Sequence, residues 1–291
     1  MTGVRVASWN LNQRTGEAAA RLGSLLAAQG GADLVLLQEV SQGGLPRFCE
    51  AAGLDWFVHL REEFFDLLSV RGRASGWAAQ ARCVAIAGRG ERMRGATVFP
   101  DLPLPEKVLA GWIDMGGVRT TVVSFHAPVG GWGLVKPRQA VRLAEWLACV
   151  DGPVVFAGDF NTPWLDPPDF DRVRTHWHTG DTKMGGALGD DLLVGPAPVH
   201  GLRDALRTFL GARPDELQAI RAARPDGPLA LSYCKGERDD QRCRYDAVWL
   251  SDHFEVDSVE YLYEESVAAG TDHALVLVDA TLTDASSAGV V

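Results

Sequence analysis

The 291-residue chain lacks the marks of several common protein classes. Its five cysteines (Cys49, Cys83, Cys149, Cys234, Cys243) are odd in number and form no CxxC pair, so neither a zinc site nor a disulfide framework is indicated. Cys49, Cys83 and Cys149 sit in apolar stretches and are expected to be buried free thiols. Cys234 and Cys243 flank a polar loop, where pairing stays open. No uninterrupted apolar run approaches membrane-spanning length. Met1 to Asn10 has no basic start followed by an apolar run, so no signal peptide is expected. The expectation is a soluble, cytoplasmic monomer without a membrane span. Positive charge is also short: 28 Lys and Arg face 38 Asp and Glu, for a formal net charge of −10. That balance argues against a broad basic face gripping nucleic acid. It leaves room for a small basic cleft, and it suits an acidic site that collects a divalent cation. No fixed-period repeat or low-complexity linker divides the chain. One domain over 1–283 is expected, with a disordered tail over 284–291.

What is present is ample core: 46 % of the residues are hydrophobic. Val4 to Trp9, Asp33 to Val40, Trp56 to Leu60, Arg82 to Ala87, Lys107 to Met115, Arg119 to His126 and Pro153 to Ala157 read as strands. So do Tyr245 to Ser251, Phe254 to Leu262 and Ala274 to Leu282. Helical spacing marks Glu17 to Gln29, which stops at Gly30-Gly31, and Lys136 to Val150, with Ala140, Leu143, Ala144 and Leu147 on one face. Leu45 to Ala52 and Leu202 to Leu210 are predicted as shorter helices. Residues 162–203 and 225–244 are rich in punctuating residues and read as loops, the first with one short helix. Strands in two batches with helices interspersed suit two packed sheets with helices outside.

The apolar strands share a habit: each meets polar, metal-competent residues at one end. Val4–Trp9 runs into Asn10 and Asn12, Leu34–Leu37 into Gln38-Glu39, and Val122–Phe125 into His126. Val154–Ala157 runs into Asp159 and Asn161, Asp246 precedes Ala247–Leu250, and Asp272-His273 precedes the last strand. A carboxylate at a buried strand end is costly unless a metal, a hydrogen bond or water satisfies it. Each has a bland alternative, such as a solvated strand end, a turn former, a cap or a core histidine. Six such ends in one chain point to a single shared rim.

These residues carry a resemblance. Ser8-Trp9-Asn10-Leu11-Asn12, Leu37-Gln38-Glu39-Val40, Ser124-Phe125-His126-Ala127-Pro128, Gly158-Asp159-Phe160-Asn161, Tyr245-Asp246-Ala247-Val248 and Thr271-Asp272-His273 occur in the order seen in the endonuclease/exonuclease/phosphatase superfamily, the deoxyribonuclease I-like proteins. The resemblance implies an α/β fold: a four-layered α/β-sandwich of two packed, mainly antiparallel sheets flanked by helices, with the active site at one end.

It also implies roles. Glu39 is the best direct ligand for Mg²⁺, with Mn²⁺ able to substitute, and Asn10 and Asp272 complete the shell directly or through water. Asp159 is the general base for the attacking water, and Asn161 a neutral donor to phosphoryl oxygens. Asp246 orients His273, which serves as base or as phosphate clamp. His126 protonates the leaving group or binds the phosphate, and exonuclease III-like repair members carry Tyr there instead. Asn12, Asn161 and His126 are expected to touch substrate. Asp204 reads as a helix cap. His176 and His178 read as exposed loop residues, and Trp132 and Lys136 as candidates for the substrate mouth.

The resulting expectation is a divalent-metal-dependent phosphodiesterase, with nucleic acid the leading substrate class. A small-molecule or lipid-headgroup phosphatase on the same site is the alternative. A catalytically dead binding module would show gaps in the set, and there are none.

Overall fold

The computed structural model describes residues 1–64, 83–99, 101–129, 134–175, 187–236 and 242–283. In chain order the first half runs β1 (Thr2–Asn10), α1 (Gly16–Ala28), β2 (Leu34–Val40), α2 (Leu45–Ala52), β3 (Trp56–His59), the single turn α3 (Leu60–Glu63), β4 (Cys83–Gly88), β5 (Arg94–Thr97), β6 (Val108–Met115) and β7 (Val118–His126). There follow α4 (Val135–Leu147), β8 (Val154–Asp159), α5 (Ala187–Val194), β9 (Arg203–Asp204), α6 (Ala205–Gly211), α7 (Pro214–Ala223), β10 (Tyr233–Cys234), β11 (Arg242–Cys243), β12 (Asp246–Leu250), β13 (Phe254–Leu262), α8 (Tyr263–Ala269) and β14 (Leu275–Leu282).

Two six-stranded sheets result, ordered β13-β14-β1-β2-β4-β3 and β5-β6-β7-β8-β12-β9. Each holds one parallel pair, β1/β2 and β7/β8, and its other pairings are antiparallel. A parallel neighbour requires a crossover, which α1 supplies in the first sheet and α4 in the second. Side chains two apart share a face, so each strand feeds two layers. Val4, Val6, Leu34, Leu36, Val122, Val155, Ala157, Val248, Val276 and Val278 fill the space between the sheets. Ala7, Trp9, Val35 and Leu37 face outward onto Leu22, Leu26 and Phe48 of α1 and α2. Val123, Phe125 and Phe156 meet Ala140, Leu143 and Leu147 of α4 on the opposite outside. Helix, sheet, sheet and helix make the four layers that the sequence implied.

At one end the inward-facing positions turn polar. Val4 and Val6 give way to Ser8 and Asn10, Leu34 and Leu36 to Gln38, Val122 to Ser124 and His126, and Ala157 to Asp159; all of these polar residues are buried. Gln38 Nε2 reaches Ser124 Oγ across the sheets at 3.3 Å, and Ser124 Oγ donates to Leu37 O at 3.0 Å. The site is the place where the shared core stops being apolar.

Several expectations need correction. Leu202 to Leu210 is not helical throughout: β9 pairs with β12, and α6 starts only after Asp204, whose carboxylate accepts the Arg207 N–H at 3.1 Å. Residues 225–244 include the antiparallel pair β10/β11. Cys149 is exposed, because α4 ends at Leu147 and Cys149 falls in the turn beyond it. Cys49 and Cys83 are buried, and burial pushes their thiols up to about 12. Cys234 and Cys243 form no disulfide with each other. The residue Arg82 and the tail 284–291 lie outside the described residues, and among the described residues no helix is long and apolar enough to cross a membrane.

A buried ion network braces the second sheet. Arg244, 3 % exposed, donates to Asp166 Oδ2 at 2.6 Å and pairs with Asp204 Oδ2 at 2.8 Å, while Arg207 also meets Asp166. The loop after β8 is thereby tied to the residue two before Asp246. Burial alone would raise the Asp166 carboxyl, but Arg244 and Arg207 outweigh it and hold it below its usual value. A depressed folded pKa stabilises above the unfolded value of about 3.9, and the contribution is lost as pH falls below it. Asp166→Asn is expected to lower stability by about 3 kcal/mol in urea unfolding at pH 7, because it leaves buried guanidinium charge uncompensated. The deficit should shrink toward pH 3.

Candidate active site

The predicted residues converge. Asn10, Asn12, Glu39, His126, Asp159, Asn161, Asp272 and His273 line one cavity of about 500 Å³. Asp246 lies behind it, 2.9 Å from His273 Nδ1. The two parallel strand pairs explain the convergence: Asn10 pairs with Gln38 at the end of one, and His126 with Asp159 at the end of the other.

Glu39 breaks the alternation, since Val35 and Leu37 on its side of β2 face the outer helices. A register shift between Leu37 and Val40 and a left-handed backbone at Glu39 (φ 48°) turn its carboxylate into the cavity instead. The other non-glycine residues with left-handed φ, among those described, are Asn12, Gln13 and Asn161, all on this rim. Such backbone costs about 1 kcal/mol or more per residue and persists where neighbours over-determine it. Here they do. The Asn12 N–H donates to Asn10 Oδ1 (2.9 Å), the Gln13 N–H to Glu39 O (2.8 Å), and the Asn161 N–H to Asp159 Oδ1 (2.9 Å). Gln13 Nε2 donates to Glu39 Oε2 at 3.0 Å, and Asn12 Nδ2 to Asp272 Oδ1 at 2.8 Å.

Asp159 is 2 % exposed and sits between the sheets. Its Oδ2 accepts from Asn10 Nδ2 at 3.0 Å and lies 3.7 Å from His126 Nε2 and 3.9 Å from His273 Nε2. Burial pushes its pKa up to about 6, with His273 opposing, Asp246 reinforcing, and the Asn161 and Asn10 hydrogen bonds pulling it down. His273 moves the other way from its own burial: desolvation disfavours its cation, but Asp246 and Asp159 outweigh that and raise it to about 10. Its backbone carbonyl accepts from Trp9 Nε1 at 3.0 Å, and Tyr233 stacks on its ring at 4.6 Å.

His126 is held from behind by a residue that the sequence reading passed over. Lys107, buried at 7 % exposure in the turn before β6, brings Nζ to 2.7 Å from His126 Nδ1. An ammonium only donates, so Nδ1 accepts and the ring hydrogen sits on Nε2. Nε2 in turn faces Glu39 Oε1 at 3.5 Å and Asp159 Oδ2 at 3.7 Å, both acceptors. The one signal in the sequence was a lysine, next to Glu106, at the entrance to a buried apolar strand. Gln13 and Tyr233 were likewise missed, because their roles depend on backbone turns and a distant hairpin.

Lys136 does not shape the mouth. It is buried, donates to Asn161 O at 2.7 Å, and pairs with Asp190 at 3.4 Å, which props the Asp159–Asn161 turn from beneath. Asn161 uses one amide hydrogen on Ala127 O (3.0 Å). Asp204 is the expected cap and also part of the ion network. Trp132, His176 and His178 lie outside the described residues.

The donor chemistry fits a hard cation. Glu39, Glu106, Asp159 and Asp272 face Lys107 and two histidines in the cavity, so a phosphate would meet an excess of carboxylate unless a cation balanced it. Asp159, Asp246 and His273 also bring ligand atoms within 4.8 Å of one another. Within that trio His273 Nδ1 is hydrogen-bonded to Asp246 at 2.9 Å, while its Nε2 lies 3.9 Å from Asp159 Oδ2, an ion-pair distance beyond hydrogen bonding.

The profile of the endonuclease/exonuclease/phosphatase family matches residues 7–273. No curated protein matches the chain in sequence. Among solved structures, D. rerio TDP2 in complex with a single-strand DNA product superposes with a TM-score of 0.62 at 17 % identity, over 97 % of this chain and 100 % of that one. An endonuclease/exonuclease/phosphatase from Bacteroides vulgatus gives 0.62 at 14 % identity over 97 % and 100 %. One from Leptotrichia buccalis gives 0.60 at 12 % over 96 % and 99 %. At these identities the likeness is one of fold.

Lys107→Met removes the donor to Nδ1 without adding charge. In ¹⁵N-resolved NMR, His126 of the native protein should show a protonated Nε2 and a bare Nδ1, and the variant should show a mixture of tautomers. A native His126 protonated on Nδ1 would contradict the arrangement.

Proposed function

The chain belongs to the endonuclease/exonuclease/phosphatase family, and from that premise we propose that it is a divalent-metal-dependent phosphodiesterase that hydrolyses its ester with an activated water. The observation that carries this reading is the buried Asp159, flanked by two histidines and an oxygen-rich wall in one cavity. Glu39 would hold Mg²⁺ or Mn²⁺, with Asp272 and Asn10 directly or through water. Bound there, the cation supplies Lewis-acid polarisation of the phosphate and offsets charge on the leaving oxygen.

The chain's own groups divide the remaining work. Asp159, raised toward neutrality yet ionised above about pH 6, takes the proton of the attacking water. A His273 raised to about 10 is a cation at neutral pH, which supports the role of phosphate clamp over that of base. Asp246 keeps it so oriented. His126, with its hydrogen on Nε2, donates to a phosphate or leaving-group oxygen, and Asn161 offers its second amide hydrogen to the phosphoryl group.

Nucleic acid is the leading substrate class, supported by the fold shared with a TDP2 that holds a single-strand DNA product. A cavity of about 500 Å³ also suits an inositol phosphate or another small ester, which keeps the phosphatase reading second. With Mg²⁺, the protein should cleave bis(4-nitrophenyl) phosphate and single-stranded DNA, and chelation should abolish both activities. Glu39→Ala should lower the rate by roughly a hundredfold or more with unchanged melting, and His273→Ala by a similar factor with lowered melting, because it leaves the buried Asp246 without its partner. Wild-type activity surviving both substitutions would falsify the assignment, and cleavage confined to monoesters would favour the phosphatase.

A further inference from the structure

The sequence holds no run of aromatic residues interleaved with basic ones, yet the fold assembles such a surface from separate segments. Beside the main cavity lies a second, of about 250 Å³, lined in part by Pro163, Trp164, Lys235 and Arg242. The same two segments wall both cavities. Asn161 and Tyr233 face the first, while Trp164 and Lys235, a few residues further along each segment, face the second.

A row of ring contacts, with His273 and Tyr245 buried, joins them. Tyr233 stacks on His273 on one side (4.6 Å, 27° between planes) and on Tyr245 on the other (5.7 Å, 18°). Lys235 Nζ lies 5.1 Å from the Tyr245 ring and 4.2 Å from that of Trp164. The plates therefore run from the phosphate-clamping histidine outward to an indole.

Trp164 is 40 % exposed. Its backbone is fixed, because its N–H donates to Arg174 O at 2.7 Å and Leu165 bridges Arg174 in a short antiparallel contact. The two carboxylates of this cavity have partners elsewhere: Asp166 is held by Arg244 and Arg207, and Asp226 by Arg172 at 2.9 Å. Among the described residues, Lys235 thus adds positive charge beside lining carboxylates that are already paired, in a chain of net charge −10.

A partly exposed indole with an ammonium over its ring matches the chemistry of a nucleotide: a planar base to stack, a phosphate to pair. We propose that Trp164 and Lys235 form a subsite for the nucleotide next to the scissile phosphodiester, with its base on the indole and its phosphate at the ammonium. The proposal rests on the phosphodiesterase reading above and narrows its substrate to single-stranded nucleic acid. A plain aryl diester, which stops at the main cavity, would not use the subsite.

The test pairs a binding measurement with two rates. Fluorescence anisotropy of a labelled oligothymidylate, in chelator so that nothing is cut, is read for wild type, Trp164→Ala, Trp164→Phe and Lys235→Gln. With Mg²⁺, initial rates are taken on the same oligonucleotide and on bis(4-nitrophenyl) phosphate. Trp164→Ala and Lys235→Gln should each weaken binding and raise the oligonucleotide KM about tenfold, with kcat and the aryl-diester rate unchanged, and Trp164→Phe should retain most of the affinity. Unchanged oligonucleotide binding in both variants, or an equal loss on both substrates, would overturn the subsite. A wild type that binds oligonucleotide through Trp164 yet cleaves neither substrate would instead refute the phosphodiesterase reading alone.

Discussion

Everything at the rim depends on a carboxylate with almost no water. Asp159 ends β8 between the two sheets, and groups from both converge on it: Asn10 from the first, the Asn161 N–H from the second, His126 and His273 from either flank. Desolvating an ion costs several kcal/mol, so these partners are what let it exist there. The same demand explains why the inter-sheet core turns polar at this end. It also explains the left-handed backbone at Asn12, Glu39 and Asn161, since only off-pattern turns bring enough donors and acceptors to one point.

The two histidines around Asp159 have opposite supports. Asp246 stands behind His273 and favours its cation, whereas Lys107 stands behind His126 and fixes the hydrogen on Nε2. One imidazole therefore presents charge and the other presents a directed neutral donor. The contrast comes from the residue behind each ring and not from the ring itself. The ion network of Arg244, Asp166 and Asp204 serves the same end at longer range by locking the Asp159 turn against the strand of Asp246.

Much of this was legible in the sequence because strands end where their apolar alternation ends. Buried runs such as Leu34–Leu37 and Val154–Ala157 announced both the sheets and the residues at their mouths. What escaped has physical reasons. The largely exposed α7 packs only Leu217 and Ile220, half-buried, against the Leu206–Leu210 cluster, a narrow face that was missed although Pro214 and the acidic Asp215 and Glu216 were fair start signals. The short β5, β9, β10 and β11 hold their conformation by pairing with neighbours, which local preference does not record. Lys107, Lys136, Tyr233 and the Trp164–Lys235 pair act through contacts across long sequence separations. Their residue types alone read as surface or core, and Lys136 was misplaced at the mouth for that reason.

The central claim is a separation of tasks: Glu39 and Asp272 on the cation side, and Asp159 together with the hydrogen-bonded Asp246–His273 pair handling protons and charge. Anomalous diffraction from crystals soaked in Mn²⁺ tests it most directly. The account predicts a peak at ligand distance from Glu39, with Asp272 beside it and the His273–Asp246 hydrogen bond intact. A peak enclosed by Asp159, Asp246 and His273, with none at Glu39, would contradict it.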